Sequence, residues 1–387
     1  MNSILAVNSG SSSLKFGLFV EREGDEHALV RGNADAIRSD NGALEIKNEH
    51  DKVIHSEKRR FATQEEALRH IAKTLGSLSL GIPAAIGHRI VHGGPKLTSH
   101  TKIDEQVIAA LEAAVHFAPL HIPPAVELIR HTESLFPQVP QFACFDTAFH
   151  HTMPEEAYRF AIAERYYAQG VKRYGFHGLS YASIVHGLGK ELRQRTVIAH
   201  LGSGASLAAV YEGKSVDTSM GLTPTGGIPM GTRTGDLDPG VPLFILRTEK
   251  PSTDALESLL NHDAGLVALG GTNDMRKLQA ASSAGDAKAK LAIEIFCRSI
   301  AKTIAAFATV LSGLDLLVFS GGIGEHSAEV RADVCKRLSV LGVAIEDKSN
   351  TASSAVISSA ASLVAVRVMA SEEEKQIARH CRQMLSS

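Results

Sequence analysis

The sequence has few cysteines, almost no net charge and no long uninterrupted apolar run. Its four cysteines, Cys144, Cys297, Cys335 and Cys381, lie far apart and form no CxxC pair. That spacing signals neither a zinc site nor a disulfide framework, and reduced thiols in a cytoplasmic chain are the expectation. Lysine plus arginine number 40 against 42 aspartate plus glutamate, a formal net charge of −2. No electrostatic reason points to nucleic acid or a membrane as partner. The longest apolar stretch, Leu291 to Leu311, is broken by Glu294, Arg298 and Lys302, which suits a core helix and not a membrane span. The first residues show no basic segment leading to a small-residue cleavage site, so no secretory signal is expected. What is present is a globular composition, 44% apolar and 21% charged over 387 residues, with length for two or three domains.

The opening stretch Leu5–Val20, LAVNSGSSSLKFGLFV, reads as two strands around a Gly-Ser turn. Phe16 to Phe19 suit a strand, whereas a P-loop opens a helix. Ala43–Ile46 and Val53–Ser56 are further strand candidates. Thr63 to Leu75 reads as a capped amphipathic helix, with an apolar stripe at Ala67, Leu68, Ile71 and Leu75. Ala84–Val91 reads as a strand, Ile103–Phe117 and Ala125–Phe136 as helices, and Gln141–Phe145 as a short buried strand. The pattern then partly restarts. TVIAHLGSGASLAAVY, Thr196 to Tyr211, is again strand, Gly-Ser turn, strand, with Gly202-Ser203 matching Gly10-Ser11. A third glycine loop, Ser320 to His326, follows the apolar run Leu314–Phe319. This order suits two α/β domains with a cleft between them.

Successive backbone N–H groups in a glycine-rich turn form an anion-binding concavity, and small side chains allow close approach. Three such loops after apolar strands point to a polyphosphate, held by the two hairpin turns. The segment Asp217–Gly240 is glycine-rich and carries Pro224, Pro229, Pro239 and a single arginine, Arg233. With Met220, Leu222, Ile228 and Met230 interspersed, it reads as an ordered functional loop with a buried Arg233.

The motifs together resemble the acetate kinases. The resemblance rests on NSGSSSLK (Asn8 to Lys15), HRIVHGG (His88 to Gly94), APLH (Ala118 to His121), FDTAFH (Phe145 to His150) and RYGFHG (Arg173 to Gly178). It continues through DTSMGLTP and MGTRTGDLDP (within Asp217 to Pro239), NDMR (Asn273 to Arg276), GGIGE (Gly321 to Glu325) with Arg331, and EEEKQIA (Glu372 to Ala378). It implies a duplicated two-domain α/β fold of the actin/Hsp70/sugar-kinase (ribonuclease H-like) type. The first domain would comprise residues 1–147 plus 368–387, and the second, with nucleotide binding and dimerisation, residues 148–367. It also implies reversible, Mg2+- (or Mn2+-) dependent phosphoryl transfer from ATP to acetate, giving acetyl phosphate and ADP, by a cytoplasmic homodimer.

Both reactants are anions, so positioning and charge neutralisation should dominate catalysis. Arg89 and Arg233 match the family's active-site arginines, whose planar forks pair carboxylate or phosphoryl oxygens. His177 matches its phosphoryl-bonding histidine and transition-state stabiliser, and His121 a second active-site histidine. Asp146 matches a carboxylate near the metal and the transferring group. A general-base role is disfavoured, because a substrate carboxyl with a pKa near ~4–5 is already ionised. Asn8 and Glu373 match the metal side, with Glu372 and Glu374 as neighbouring alternatives. Val91, Leu120, Phe176 and Pro224 match the acyl pocket. The resemblance implies ATP contacts at Ser11, Ser13, Lys15, His200, Gly202, Ser203, Gly204, Asp274, Met275, Arg276, Gly322, Ile323, Gly324 and Glu325. His50, His55 and His100 are assigned to the solvated surface.

The sequence departs from the family pattern at four places. Ile122 and Ser203 each replace an Asn, Thr225-Gly226 replace Leu-Glu, and His326 replaces an Asn. These bear on donor or acceptor choice and not on the reaction class. One extra methylene in a small apolar pocket discriminates by only about 1–3 kcal/mol, so a propionate or other short-chain carboxylate kinase is the alternative. An actin- or chaperone-like ATPase is a remoter one, having no use for two arginines beside an acyl pocket.

Overall fold

The computed structural model describes residues 2–10, 12–78 and 80–386. Its opening hairpin follows the apolar alternation: β1 (Ile4–Ser9) pairs antiparallel with β2 (Leu14–Arg22), from Ile4 opposite Phe19 to Ser9 opposite Leu14. β3 (Asp25–Asp35), β4 (Ala43–Asn48) and β5 (Val53–Lys58) continue the meander outward. β6 (Ala85–Ile90) pairs parallel to β1, and β8 (Gln141–Phe145) parallel to β6, with the two-residue β7 (Thr101–Lys102) at the far edge. Helices α1 (Gln64–Ser77), α2 (Glu105–Ala113) and α3 (Ile122–Leu135) fill the connections. Thr63 caps α1 by accepting from the Glu66 N–H, as its sequence pattern predicts. The helix expected from Ala125 begins earlier, at Ile122, because Pro123 and Pro124 fall in its first turn, where a missing N–H costs nothing.

β1 is buried on both faces. Leu5 and Val7 join a core with Leu68 and Ile71 of α1 and Leu128 of α3. Ile4 and Ala6 face a second core with Ile377, Ala378 and Cys381 of the helix Glu373–Leu385. Gly87 makes that second packing possible, since a Cβ there would lie 2.4 Å from both Cys381 Sγ and Ile377 Cγ2.

The chain divides into two units: Met1–Ala148 with Gly178–Ser183 and Glu372–Ser387, and Phe149–His177 with Ile184–Ser371. The division differs from the expected boundaries at Ala148, which goes with the first unit, and at two small segments. Gly178–Ser183 goes with the first unit, where Leu179 joins the core of Ile4 and Ile377. Residues 368–371 stay with the second, where the Met369 N–H bonds the Phe319 carbonyl.

In the second unit β9 (Arg195–Leu201) pairs antiparallel with β10 (Ala205–Tyr211), and β10 with β11 (Lys214–Thr218). β12 (Leu316–Ser320) lies parallel to β9, and β13 (Ala365–Val368) parallel to β12. The order β11-β10-β9-β12-β13 repeats β3-β2-β1-β6-β8 in both sequence and direction. The short Gly-Ser match is therefore the visible trace of a repeated sheet. The turns themselves differ in length: the Gly10 N–H bonds the Ser13 carbonyl three residues on, and the Gly202 N–H the Gly204 carbonyl two residues on. The apolar run from Leu291 lies in the helix Ala287–Val310, with Phe296, Ile300 and Ile304 fully buried. Among the described residues no helix is long and apolar enough to cross a membrane.

Gly321, which starts the helix after β12, has φ +74°, and a Cβ there would meet the Leu201 carbonyl oxygen at 2.8 Å. Gly322 beside it has open space. Gly321→Ala is expected to lower the unfolding free energy by about 1–3 kcal/mol, and Gly322→Ala to leave it unchanged. Urea denaturation of the two variants in parallel checks this.

Candidate active site

In the first unit four separate chain segments meet at one guanidinium. Arg89, near the end of β6, donates from Nε and Nη2 to Asp146 Oδ2, at 3.0 and 2.6 Å, just past β8. Its Nη1 donates to Asn8 Oδ1 on β1 at 3.2 Å. Asn8 Nδ2 in turn donates to Glu373 Oε2 and Glu374 Oε1, at 2.9 and 2.7 Å, on the first turn of the C-terminal helix. Glu373 Oε2 lies 3.9 Å from Arg89 Nε. Asp146 is 1% exposed. Burial pushes its carboxyl up to about 6, Arg89 pulls the other way and Glu373 adds to the rise. The carboxylate facing a fixed guanidinium is thus ionised at neutral pH. Arg89 is half-buried, and the carboxylates around it raise its pKa, so it stays a cation. Asp146 Oδ1 is buried with no hydrogen-bond partner among the described residues. An orphaned carboxylate oxygen beside Glu373 and Asn8 makes a hard-oxygen donor set of the kind Mg2+ takes.

In the second unit the glycine loops and the long loop converge. His177 has φ 58°, the left-handed conformation that a non-glycine residue adopts at a cost. Its Nδ1 bonds the Ser206 hydroxyl of β10 at 2.8 Å, and its ring stacks on His200 with centroids 4.4 Å apart. A Cβ on Gly204 would lie 3.3 Å from His177 Nε2 and 3.4 Å from Arg233 Nη1. The β9–β10 turn therefore sits against both side chains, and any larger residue there would have to displace them by a few tenths of an ångström. Arg233 is half-buried, less than its surroundings in the sequence suggest, and donates to the Pro224 carbonyl at 3.1 Å. The Gly231 N–H bonds the Ser203 carbonyl at 3.2 Å, and a Cβ on Gly231 would touch Asn273 Cβ at 3.3 Å. Gly321 backs onto Leu201. Residues 202–204, 231, 273 and 321 thus form one continuous run of small residues and backbone.

Several residues named from the sequence have local partners. Asp274 caps the helix Met275–Ser283 and pairs with Arg276 at 2.9 Å, which holds its carboxyl down near 2. Met275 is buried. Glu325 Oε1 accepts from the Gly321 N–H at 3.0 Å, closing the turn that contains Gly322, Ile323 and Gly324. Lys15 is exposed on β2 and Ser13 half-buried; Ser11 lies outside the described residues. His121 is the N-cap position of α3. Of the acyl-pocket positions, Val91 and Pro224 are half-buried, Leu120 is 49% exposed and Phe176 1%. The departures are accommodated: Thr225 Oγ1 bonds Asn261 at 2.6 Å, and a Cβ on Gly226 would lie 3.2 Å from Asp236 Oδ1. Of the histidines assigned to the surface only His50 is exposed. His100 Nδ1 accepts from the Phe145 N–H at 3.0 Å and its ring lies on His380, while His55 is half-buried beside Glu57.

The sequence reading left four supports without a role. Ser206 orients His177. His150, fully buried, bonds Ser215 Oγ at 2.8 Å and the Phe176 carbonyl at 3.0 Å, bracing the turn before His177. Arg173 Nη1 donates to the carbonyls of Thr218, Ser219 and Met220. Arg331, 0% exposed, donates to the Gly324 and Glu325 carbonyls and to Asn350. All but Ser206 fall in or beside the quoted motifs, so position alone flagged them.

A model of the acetokinase family matches residues 3–379. The sequence is 42% identical to the acetate kinase of Coprothermobacter proteolyticus, over 97% of each chain. It is 40% identical to that of Thermotoga maritima, over 99% of this chain and 98% of the relative. Among solved structures it is similar to a propionate kinase from Francisella tularensis (TM-score 0.90, 38% identity, 98% of each chain). It is likewise similar to the acetate kinase of Porphyromonas gingivalis (TM-score 0.87, 33% identity, 100% of each chain).

Burial pushes the His150 imidazole down from its ordinary 6.5 to about 4. Between those values the unfolded chain binds a proton that the folded chain refuses. Stability is therefore full above pH 6.5 and falls as pH drops toward 4. His88, buried against Gln141, carries the same sign. Urea unfolding between pH 4 and 8 is expected to show this fall, with a shallower acid limb in His150→Gln.

Proposed function

The chain belongs to the acetokinase family of carboxyl-group phosphotransferases, and we propose that it transfers the γ-phosphoryl of ATP reversibly and directly to acetate. The convergence of His177 and Arg233 on Gly204 is the observation that carries this reading. A backbone turn, a cation and an oriented imidazole suit one anionic phosphoryl group. Transfer is in-line: an acetate oxygen forms a bond to Pγ as the bond to the β-phosphate oxygen breaks, leaving acetyl phosphate and ADP. No proton moves, because the attacking carboxylate is already ionised.

Each group has a task in that step. With its Nδ1 taken by Ser206, His177 offers Nε2–H to an equatorial phosphoryl oxygen. Arg233 neutralises charge that builds on those oxygens. Arg89, held rigid by Asp146 and Asn8, pairs the acetate carboxylate. The N–H groups of residues 202–204 and the turn closed by Glu325 cradle the nucleotide phosphates, with Asp274, Met275 and Arg276 on the nucleoside side. Asn8, Glu373 and Asp146 Oδ1 would hold Mg2+ or Mn2+, which neutralises the β- and γ-phosphate oxygens when bound. Val91, Leu120, Phe176 and Pro224 are the positions that match the family's acyl pocket, two from each unit. The propionate kinase similar to this chain at 38% identity supports a second acceptor, propionate, in the same pocket. Four buried free thiols agree with a cytoplasmic setting.

The helix Gly240–Thr248 has no buried residue and exposes Val241, Leu243, Phe244 and Leu246. Such an apolar face marks an interface, and it supports a homodimer joined through the second unit. Light scattering is expected to give twice the chain mass, and Phe244→Glu to give the monomer.

With MgATP and C1 to C4 carboxylates, trapping with hydroxylamine is expected to yield acyl hydroxamate from acetate, and from propionate in second place. Arg89→Ala and Arg233→Ala are each expected to lower turnover by about a thousandfold or more. Near-normal turnover in either variant contradicts the assignment.

A further inference from the structure

At the outer edge of the first unit's sheet, away from the phosphoryl-transfer residues in sequence, three metal-ligating side chains come together. His55 and Glu57 are two residues apart on β5 and share one face of the strand. His70 comes from α1. One donor atom from each, all within 4.8 Å of one another, forms the one such cluster of histidine, cysteine and carboxylate found among the described residues. His70 Nε2 lies 2.8 Å from Glu57 Oε2, and His55 Nε2 lies 3.5 Å from the same oxygen. Arg59 approaches the other carboxylate oxygen, at 3.8 Å, and leaves Oε2 to the two imidazoles.

A plain hydrogen-bonded pair explains His70 and Glu57 but not His55. Its Nε2 is buried and makes no hydrogen bond of accepted geometry, yet it points at the same oxygen. Zinc bonds of about 2.0–2.1 Å at tetrahedral angles place donor atoms about 3.4 Å apart. The observed 2.8 and 3.5 Å bracket that spacing, so a modest widening seats an ion. The side chains are 17 to 37% exposed, which leaves one side open for entry and for a water as fourth ligand.

We propose that His55, Glu57 and His70 bind a divalent transition-metal ion of the zinc type, pinning the edge strand β5 to α1. The consequence reaches further along α1, because its first residue, Gln64, accepts from Ser9 Oγ at 2.6 Å and donates to the Gly10 carbonyl. A metal that fixes α1 also fixes the base of the first glycine turn.

The test uses the full chain, stripped with chelator and titrated with ZnCl2 by calorimetry, with CoCl2 as a spectroscopic probe. One equivalent is expected to bind and raise the thermal midpoint, and Co2+ to give the intense visible bands of a four-coordinate site. His55→Ala and His70→Ala should each weaken binding at least about tenfold and lose the midpoint shift, while Mg2+-dependent turnover of the metal-free protein stays unchanged. Should a variant fail to fold, His55→Gln and His70→Gln serve in its place. No stoichiometric binding, or binding that survives both substitutions, overturns the proposal.

Discussion

Arg89 and Asp146 form the interaction on which the first unit's site depends. Their ion pair is buried, and burying either charge alone is costly, so each holds the other in place. Through Asn8 the pair is joined to Glu373 and Glu374, so residues near both ends of the chain sit in one network. A guanidinium fixed in this way presents positive charge to an anion without reorganising when the anion arrives. The same burial leaves one oxygen of Asp146 without a hydrogen-bond partner among the described residues.

The second unit solves the complementary problem with backbone. Its run of glycine turns is built where chain segments approach closely, at Gly204, Gly231 and above all Gly321, where a Cβ would meet the Leu201 carbonyl oxygen at 2.8 Å. Side chains there serve mainly to aim other groups: Ser206 turns His177, Glu325 closes a turn, and Arg331 satisfies carbonyls at the end of the short helix Gly321–His326. The repeated strand order explains why two such turns exist, each following the central strand of its sheet.

Much of this was legible in the sequence because apolar alternation is strong at β1, β2, β9 and β10, and those strands carry the glycine turns. β3 was not legible. Its residues, DEHALVRGNAD, bury only every fourth side chain (Glu26, Val30 and Ala34) and so carry no clean two-residue period. The pairing of Asp274 with Arg276 and the capping by Glu325 were hidden as well, since a motif marks residues without saying which of them hold one another. Histidines proved the least readable. His55 and His100 look like surface residues in sequence, yet tertiary partners bring both inward. The choice among three consecutive glutamates was also a matter of packing. Asn8 takes both Glu373 and Glu374, and Glu372 pairs outward with Arg31.

The bond from Asn8 to Glu373 spans 365 positions of chain. During synthesis on a ribosome, β1 and its glycine turn are made well before the acidic partners of Asn8. Until then the first unit lacks Ile377, Ala378 and Cys381 against one face of its central strand. The nascent chain therefore carries an open apolar sheet face until that helix is made, and the second unit has the opportunity to fold in full before the first is complete.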